Sequence, residues 1–132
     1  MDCIFCKIIN GEIPCHKIYE DEYVLAFLDI AGDVDGHTLV IPKKHVVNIL
    51  DCDTETLQHV FSAVKKISNH YVENCGYNGC NLLNANDASA QQSVFHFHVH
   101  IIPRKNNDGI NAFPNFDGAK QTFEDVCNKL KF

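Results

Sequence analysis

The chain predicts an α+β fold built on an antiparallel sheet, for two reasons. Strand-like runs outnumber helical ones, and the helical segments are not interleaved with strands as βαβ repeats. Residues 5–10 read as a short helix stopped by Gly11 and then Pro14. Residues 17–20 and 23–29 are β-like and separated by Asp21-Glu22, a hairpin. Residues 31–36, rich in Gly and Asp, form a turn, and residues 37–41 a third strand ended by Pro42. A long helix opens at Asp53, with Asp53 or Thr54 as its cap. Leu57, Val60, Phe61, Val64, Ile67 and Tyr71 recur in it at helical spacing, and Gly76 ends it. Residues 81–85 are a fourth strand and residues 94–103 a fifth, joined by a small, polar loop over residues 86–92. Residues 121–130 read as a C-terminal helix.

A length of 132 residues, 45% of them apolar and 21% charged, suits one globular domain over 1–132 with a core of ordinary size. No apolar run approaches the roughly 18 residues that span a bilayer, so no membrane partner is predicted. The net charge of -6 argues against a general nucleic-acid binder but leaves room for a small nucleotide in a local pocket. Seven cysteines are an odd number, and the first residues lack a basic stretch followed by an apolar one. Together these predict no disulfide framework and a reducing, cytoplasmic setting.

The run His96-Phe97-His98-Val99-His100-Ile101 alternates histidine with apolar residues. On a strand, successive side chains point to opposite faces. The three imidazoles then share one face, spaced roughly 6.6–7 Å apart, and Phe97, Val99 and Ile101 share the other. A merely solvated polar face accepts Ser, Thr or Lys as well as His, so three histidines in register favour a chemical site.

Cys3 and Cys6 form a Cys-x-x-Cys pair. A redox pair usually sits between a strand and a helix, and nothing upstream supplies that strand. A structural zinc needs two further ligands, for which His16, His37, His45, His59, His70 and the triad are candidates. On the motif alone, zinc and two unliganded thiols are equal alternatives. Cys15, Cys52, Cys75, Cys80 and Cys127 lack metal-like spacing and read as small buried hydrophobes or free thiols.

The triad is accompanied by Cys3-Ile4-Phe5-Cys6-Lys7-Ile8-Ile9, Gly11-Glu12-Ile13-Pro14, Ala26-Phe27-Leu28-Asp29-Ile30, Gly36-His37-Thr38-Leu39-Val40-Ile41-Pro42-Lys43-Lys44-His45, Gln92-Ser93-Val94-Phe95-His96 and Ile101-Ile102-Pro103-Arg104. In this order, over residues 1–104, the chain resembles the histidine triad (HIT) family, in the bacterial form of its Hint-like branch. The resemblance implies a HIT-like fold: a five-stranded antiparallel sheet with one long helix and short helices, assembled as a homodimer. The long helix and the strand near Asn81 would form the interface. A C-terminal extension over residues 105–132 carries Phe113, Phe116 and Phe123, which would reach over the partner's active site.

The implied function is a nucleotidyl hydrolase or transferase for a purine nucleoside monophosphate (AMP or GMP type) joined to an amine or another leaving group. His98 matches the nucleophile, whose neutral imidazole attacks phosphorus and then leaves. His100 and His37 resemble its supporting imidazoles, and Ser93 the serine at the phosphate or leaving group. Asp29 matches the acceptor for ribose hydroxyls, Asn84 or Asn86 the amide on the phosphate, and Gln92 the adjacent loop glutamine. Gln91 stands where the family often has glycine, a residue that permits positive φ. The resemblance also resolves the cysteine pair toward a structural Zn2+ held by Cys3, Cys6, His45 and His96. Two other functions stay open: a dinucleoside polyphosphate hydrolase, and a nucleotide- or partner-binding module with incidental hydrolysis. The lead-in Ser93-Val94-Phe95-His96 and the Cys-x-x-Cys favour the Hint-like branch.

Overall fold

A computed structural model describes residues 2–132. Its elements are α1 (Ile4–Ile9), β1 (Lys17–Glu20), β2 (Val24–Leu28), β3 (Thr38–Pro42), α2 (Thr54–Asn74), β4 (Gly79–Leu83), β5 (Val99–Arg104) and α3 (Phe123–Leu130). The strands form one five-stranded antiparallel sheet in the order β1-β2-β3-β5-β4. Asp21 closes the first hairpin by accepting from the Tyr23 and Val24 amides, both at 2.8 Å.

Both faces of the central strands are covered. Val24, Ala26, Val40, Val99 and Ile101 pack against Val60, Ala63, Val64, Ile67 and Tyr71 of α2. Leu25, Phe27, Leu39 and Ile41 alternate to the other face, under Cys3 and Phe5 at the start of α1. This explains why β2 and β3 are nearly all apolar rather than alternating polar and apolar. Asp53 is the cap of α2, its side chain accepting from the Thr56 amide. Cys3 caps α1 through its sulfur.

Several boundaries differ from the sequence reading, each for a local reason. The fifth strand begins at Val99 rather than at residue 94, because its pairing with β3 stops at Val40–Val99 although β3 itself runs on to Pro42. Upstream, the chain bends at residues 94–96 and bonds elsewhere: the Phe97 amide donates to Val46 O at 2.8 Å, and Asn84 donates to His98 O at 2.9 Å. His96 and His98 therefore precede the ladder, and His100 alone lies within it. Both prolines lie within their strands. Pro42 is the last residue of β3, opposite Val24, and Pro103 pairs with Cys80 inside β5. Each lies beyond the stretch where β3 and β5 pair, so one side of the strand is open and a missing N–H costs no ladder bond there. The fourth strand starts two residues earlier than read, at Gly79, facing Arg104. The C-terminal helix begins only after its cap, Thr122.

Gly36 delivers the chain into β3 and sets the position of His37. Its φ is +82°, and an added Cβ would meet Pro103 Cγ at 2.9 Å and the Tyr77 hydroxyl at 3.2 Å. Gly36→Ala is expected to cost about 2–4 kcal/mol from backbone strain and overpacking together. Denaturant titration measures this, and a loss below about 0.5 kcal/mol contradicts the close approach.

Candidate active site and metal centre

The alternation read along 96–101 survives although the ladder starts late. Phe97, Val99 and Ile101 enter the α2 core. His96 and His98 turn to the opposite side, where the Phe5 ring meets them edge-on at 5.8 and 5.2 Å. His96 is fully buried and His98 is 6% exposed.

Backbone carbonyls fix both tautomers, since a carbonyl only accepts. The His98 Nδ1–H donates to His96 O at 2.7 Å. Its Nε2 is therefore a bare lone pair. Burial holds the His98 imidazole below the ordinary histidine range, so the ring is neutral near pH 7. A neutral imidazole with an aimed lone pair is a competent nucleophile. Asn84 steadies the same residue by donating to its carbonyl.

His37 enters from the start of β3 and His100 from within β5. The His37 Nε2 and His100 Nδ1 atoms are 2.9 Å apart. Burial pushes His100 down to about 4, with His98 and His37 as neighbouring like charges adding to it. Asp29 Oδ2 lies 3.6 Å from His37 Nε2, while its Oδ1 accepts from the Ala31 amide. Asp29, His37 and His100 thus converge within 4.8 Å. Asp33, read only as a turn residue, also belongs here: the His37 Nδ1 lies 2.9 and 3.1 Å from its two carboxylate oxygens. Its spacing of four residues from His37 was the one available signal. In the sequence, Phe5 reads only as part of the first helix and of the Cys3–Ile9 run.

The remaining expected residues occupy the loop ahead of the triad. Gln92 is buried and its side chain is fully engaged. Its oxygen accepts from Asn48 Nδ2 and the Asp87 amide, and its nitrogen donates to Val47 O and Val94 O. The Gln92 side chain therefore organises the loop. Gln91 adopts φ +69° and Asp87 φ +79°, conformations that side chains rarely take. The four Gln92 bonds bracket this strained stretch. Asn86 donates to Asn84 and accepts from the Ile49 amide. Ser93 is exposed, lining an open groove with Ile4, His45 and Phe95, and among the described residues it makes no hydrogen bond to the histidines.

Cys3, Cys6, His45 and His96 place one ligand atom each within 4.8 Å of the others, a cluster that can bind a metal ion. His96 donates its Nε2–H to Pro42 O at 2.8 Å, which leaves Nδ1 as a lone pair aimed at the cluster. That Nδ1 lies 3.5 Å from Cys3 Sγ, 3.6 Å from Cys6 Sγ and 3.1 Å from His45 Nδ1, and Cys6 Sγ lies 3.4 Å from His45 Nδ1. A tetrahedral ion with bonds of about 2.0–2.1 Å to nitrogen and about 2.3 Å to sulfur separates its ligands by about 3.3 Å (N–N) and 3.5 Å (N–S). The donor set fits such an ion.

The HIT domain family model matches residues 10–107. Protein hit of Bacillus subtilis is 52% identical over 112 residues, 84% of this chain and 77% of that protein. The adenylylsulfatase HINT3 of Arabidopsis thaliana is 46% identical over 81% of this chain and 54% of its own length. The adenosine 5'-monophosphoramidase hnt1 of Schizosaccharomyces pombe is 38% identical over 99% of this chain and its full length. Among solved structures, a HIT family protein from Bacillus anthracis has a TM-score of 0.83 at 50% identity, covering 97% of this chain and 92% of the other. A Zn-bound histidine triad family protein from Mycobacterium smegmatis has a TM-score of 0.79 at 37% identity, covering 89% and 85%. With its triad, five-stranded sheet and matches over most of its length, this chain belongs to the HIT domain family.

Proposed function

We propose that the protein hydrolyses a purine nucleoside monophosphate linked through its 5'-phosphate to an amine, by way of a nucleotidyl-His98 intermediate. The observation that carries this is the His98 tautomer, with Nδ1–H spent on the His96 carbonyl and Nε2 left free. Nucleotide hydrolysis in general accords with family membership and with relatives named as an adenylylsulfatase and an adenosine monophosphoramidase. In the first step His98 Nε2 forms the N–P bond and the amine leaves with a proton. In the second, water attacks phosphorus and the N–P bond to His98 breaks. Asp29, whose carboxylate lies 3.6 Å from His37 Nε2, would accept from ribose hydroxyls. Asn84 and Asn86 each keep an N–H for a phosphate oxygen. The Gln92 side chain shapes the loop that carries Ser93, which approaches the leaving group.

A substrate panel tests the reading: adenosine phosphoramidate, lysyl-AMP, adenosine 5'-phosphosulfate and diadenosine polyphosphates. Turnover is expected to be fastest on the amine-linked substrates. His98→Ala is expected to remain folded and to lose at least about 10³-fold in kcat. Full activity in the folded variant, or preference for the polyphosphates, contradicts the assignment.

The Cys3, Cys6, His45 and His96 cluster is proposed to hold one Zn2+. The ion would tie the start of α1 and the segment after β3 to the residue preceding Phe97. Elemental analysis of protein purified without added metal or chelator is expected to find about one zinc per chain. Cys3→Ser with Cys6→Ser is expected to lose the metal and melt at a lower temperature. No zinc in that wild-type preparation, with both thiols titrating freely, would refute the site.

A homodimer is proposed as the working form. Among the described residues the outer edge of β4 is unpaired, and its Leu82 and Leu83 are exposed, as are Phe61 of α2 and Phe123 and Leu130 of α3. Light scattering in line with size exclusion is expected to give about twice the chain mass of 14.9 kDa. A monomer at micromolar concentration overturns this.

A further inference from the structure

Asp33 has no part in the function proposed above, yet it holds the far end of a continuous chain of hydrogen-bonding groups. Its carboxylate accepts from His37 Nδ1, and His37 Nε2 faces His100 Nδ1 at 2.9 Å. His100 Nε2 is the one ring nitrogen of the pair left over, and its ring lies 5.0 Å from that of His98. The hydrogen bond from His37 holds the Asp33 carboxyl below its usual range, so Asp33 is ionised and can only accept. In the neutral pair that choice propagates. His37 carries its proton on Nδ1 and offers a lone pair at Nε2. His100 must then donate from Nδ1, which leaves its Nε2 as a lone pair.

We propose that Asp33 is a positioning residue for catalysis: it fixes the tautomers of His37 and His100 so that one proton can enter and leave the site through His100 Nε2. This rests on the hydrolytic reading above and adds the proton path to it. In the hydrolysis step the attacking water gives a proton to His100 Nε2. The His100 Nδ1 proton passes to His37 Nε2, and the charge comes to rest on His37. The first step starts from the form in which His37 already holds that proton. The path runs backward, His37 Nε2–H passing its proton to His100 Nδ1 while His100 Nε2–H gives one to the leaving amine, which restores the neutral pair for the water step. One proton is taken up and one delivered per cycle, so the balance closes.

The resting place of the charge follows from what faces each ring. His37 is met by Asp33 from its own turn, by Asp29 from the segment after β2, and by His100 from β5. His100 is met by two imidazoles and shares the Asp29 carboxylate within 4.8 Å, and burial disfavours its charged form, while only His37 also touches Asp33. The cation therefore belongs on the ring between two carboxylates. Asp33 is half exposed, which makes its contribution an orienting one more than a buried ion pair.

The test uses Asp33→Ala and Asp33→Asn in the full-length, metal-loaded protein. Long-range proton–nitrogen NMR of the imidazoles, at a pH where they are neutral, reads the tautomer without any substrate. Wild type is expected to show His37 protonated on Nδ1, and Asp33→Ala to show a mixture or the Nε2–H form. Asp33→Asn keeps an acceptor oxygen and is expected to keep the wild-type tautomer. With adenosine phosphoramidate, kcat is expected to fall about 10–100-fold in Asp33→Ala, with KM within about two-fold. It is expected to fall less in Asp33→Asn. An AMP ester of an acidic phenol, whose leaving group needs no proton, is expected to show a smaller loss in the nucleotidylation step. An unchanged His37 tautomer in folded Asp33→Ala, or wild-type kcat in both variants, overturns the proposal. Should wild type fail on every amine-linked substrate, the hydrolytic reading falls, while the tautomer comparison still decides whether Asp33 sets the pair.

Discussion

The two-residue period of the chain between His96 and Ile101 is the constraint on which the rest depends. It sends Phe97, Val99 and Ile101 into the α2 core and His96, His98 and His100 to the other side. The apolar residues are among the most deeply buried in the molecule, at 1% exposure or less. A slip of one residue would bring imidazoles into the α2 core and place Phe97 among the polar groups. The hydrophobic effect on one face therefore holds the polar chemistry of the other in register. The histidines need no adhesive energy of their own.

What each histidine does is then set by its second ring nitrogen. Three different acceptors, Pro42 O, His96 O and the Asp33 carboxylate, each take one N–H and leave the remaining nitrogen directed elsewhere. His96 turns its lone pair to two sulfurs and His45, while His98 keeps its lone pair free. Phe5 of α1 covers both rings, and the same short helix carries Cys3 and Cys6 at its start. The Cys–His cluster and His98 thus share one lid and one stretch of backbone, which couples order at the first to position at the second.

The sequence made the sheet and its two covering layers legible because periodicity is a local signal. The α2 stripe, the Asp53 cap and the hairpin at Asp21 all follow from residues within a few positions of one another. Strand ends were less legible, since they depend on where pairing with a distant partner stops. Nothing near Val94 announces that pairing with β3 does not reach it, and nothing near Pro103 announces that one side of β5 is open. The same distinction holds at the site. The triad, Cys3, Cys6, His37 and His45 carried recognisable residue types in recognisable runs. Asp33 looked like any turn acid, and Gln92 like a ligand group, until the fold brought Asn48 and Val47 across to it. Gln91 stands where glycine was expected and takes the left-handed conformation that a glycine would take. The hydrogen bonds of Gln92 hold that turn in place of the missing glycine.

The central claim is that the lone pair on His98 Nε2 forms a bond to phosphorus. Protein quenched in alkali during turnover of an adenosine phosphoramidate, digested and fragmented by mass spectrometry, tests it most directly, because phosphorus–imidazole bonds survive base. The account predicts an AMP adduct on the peptide that spans the triad, with fragment ions placing it on His98 and on neither His96 nor His100. Rapid turnover with no adduct under those conditions, or an adduct on any other residue, would contradict it.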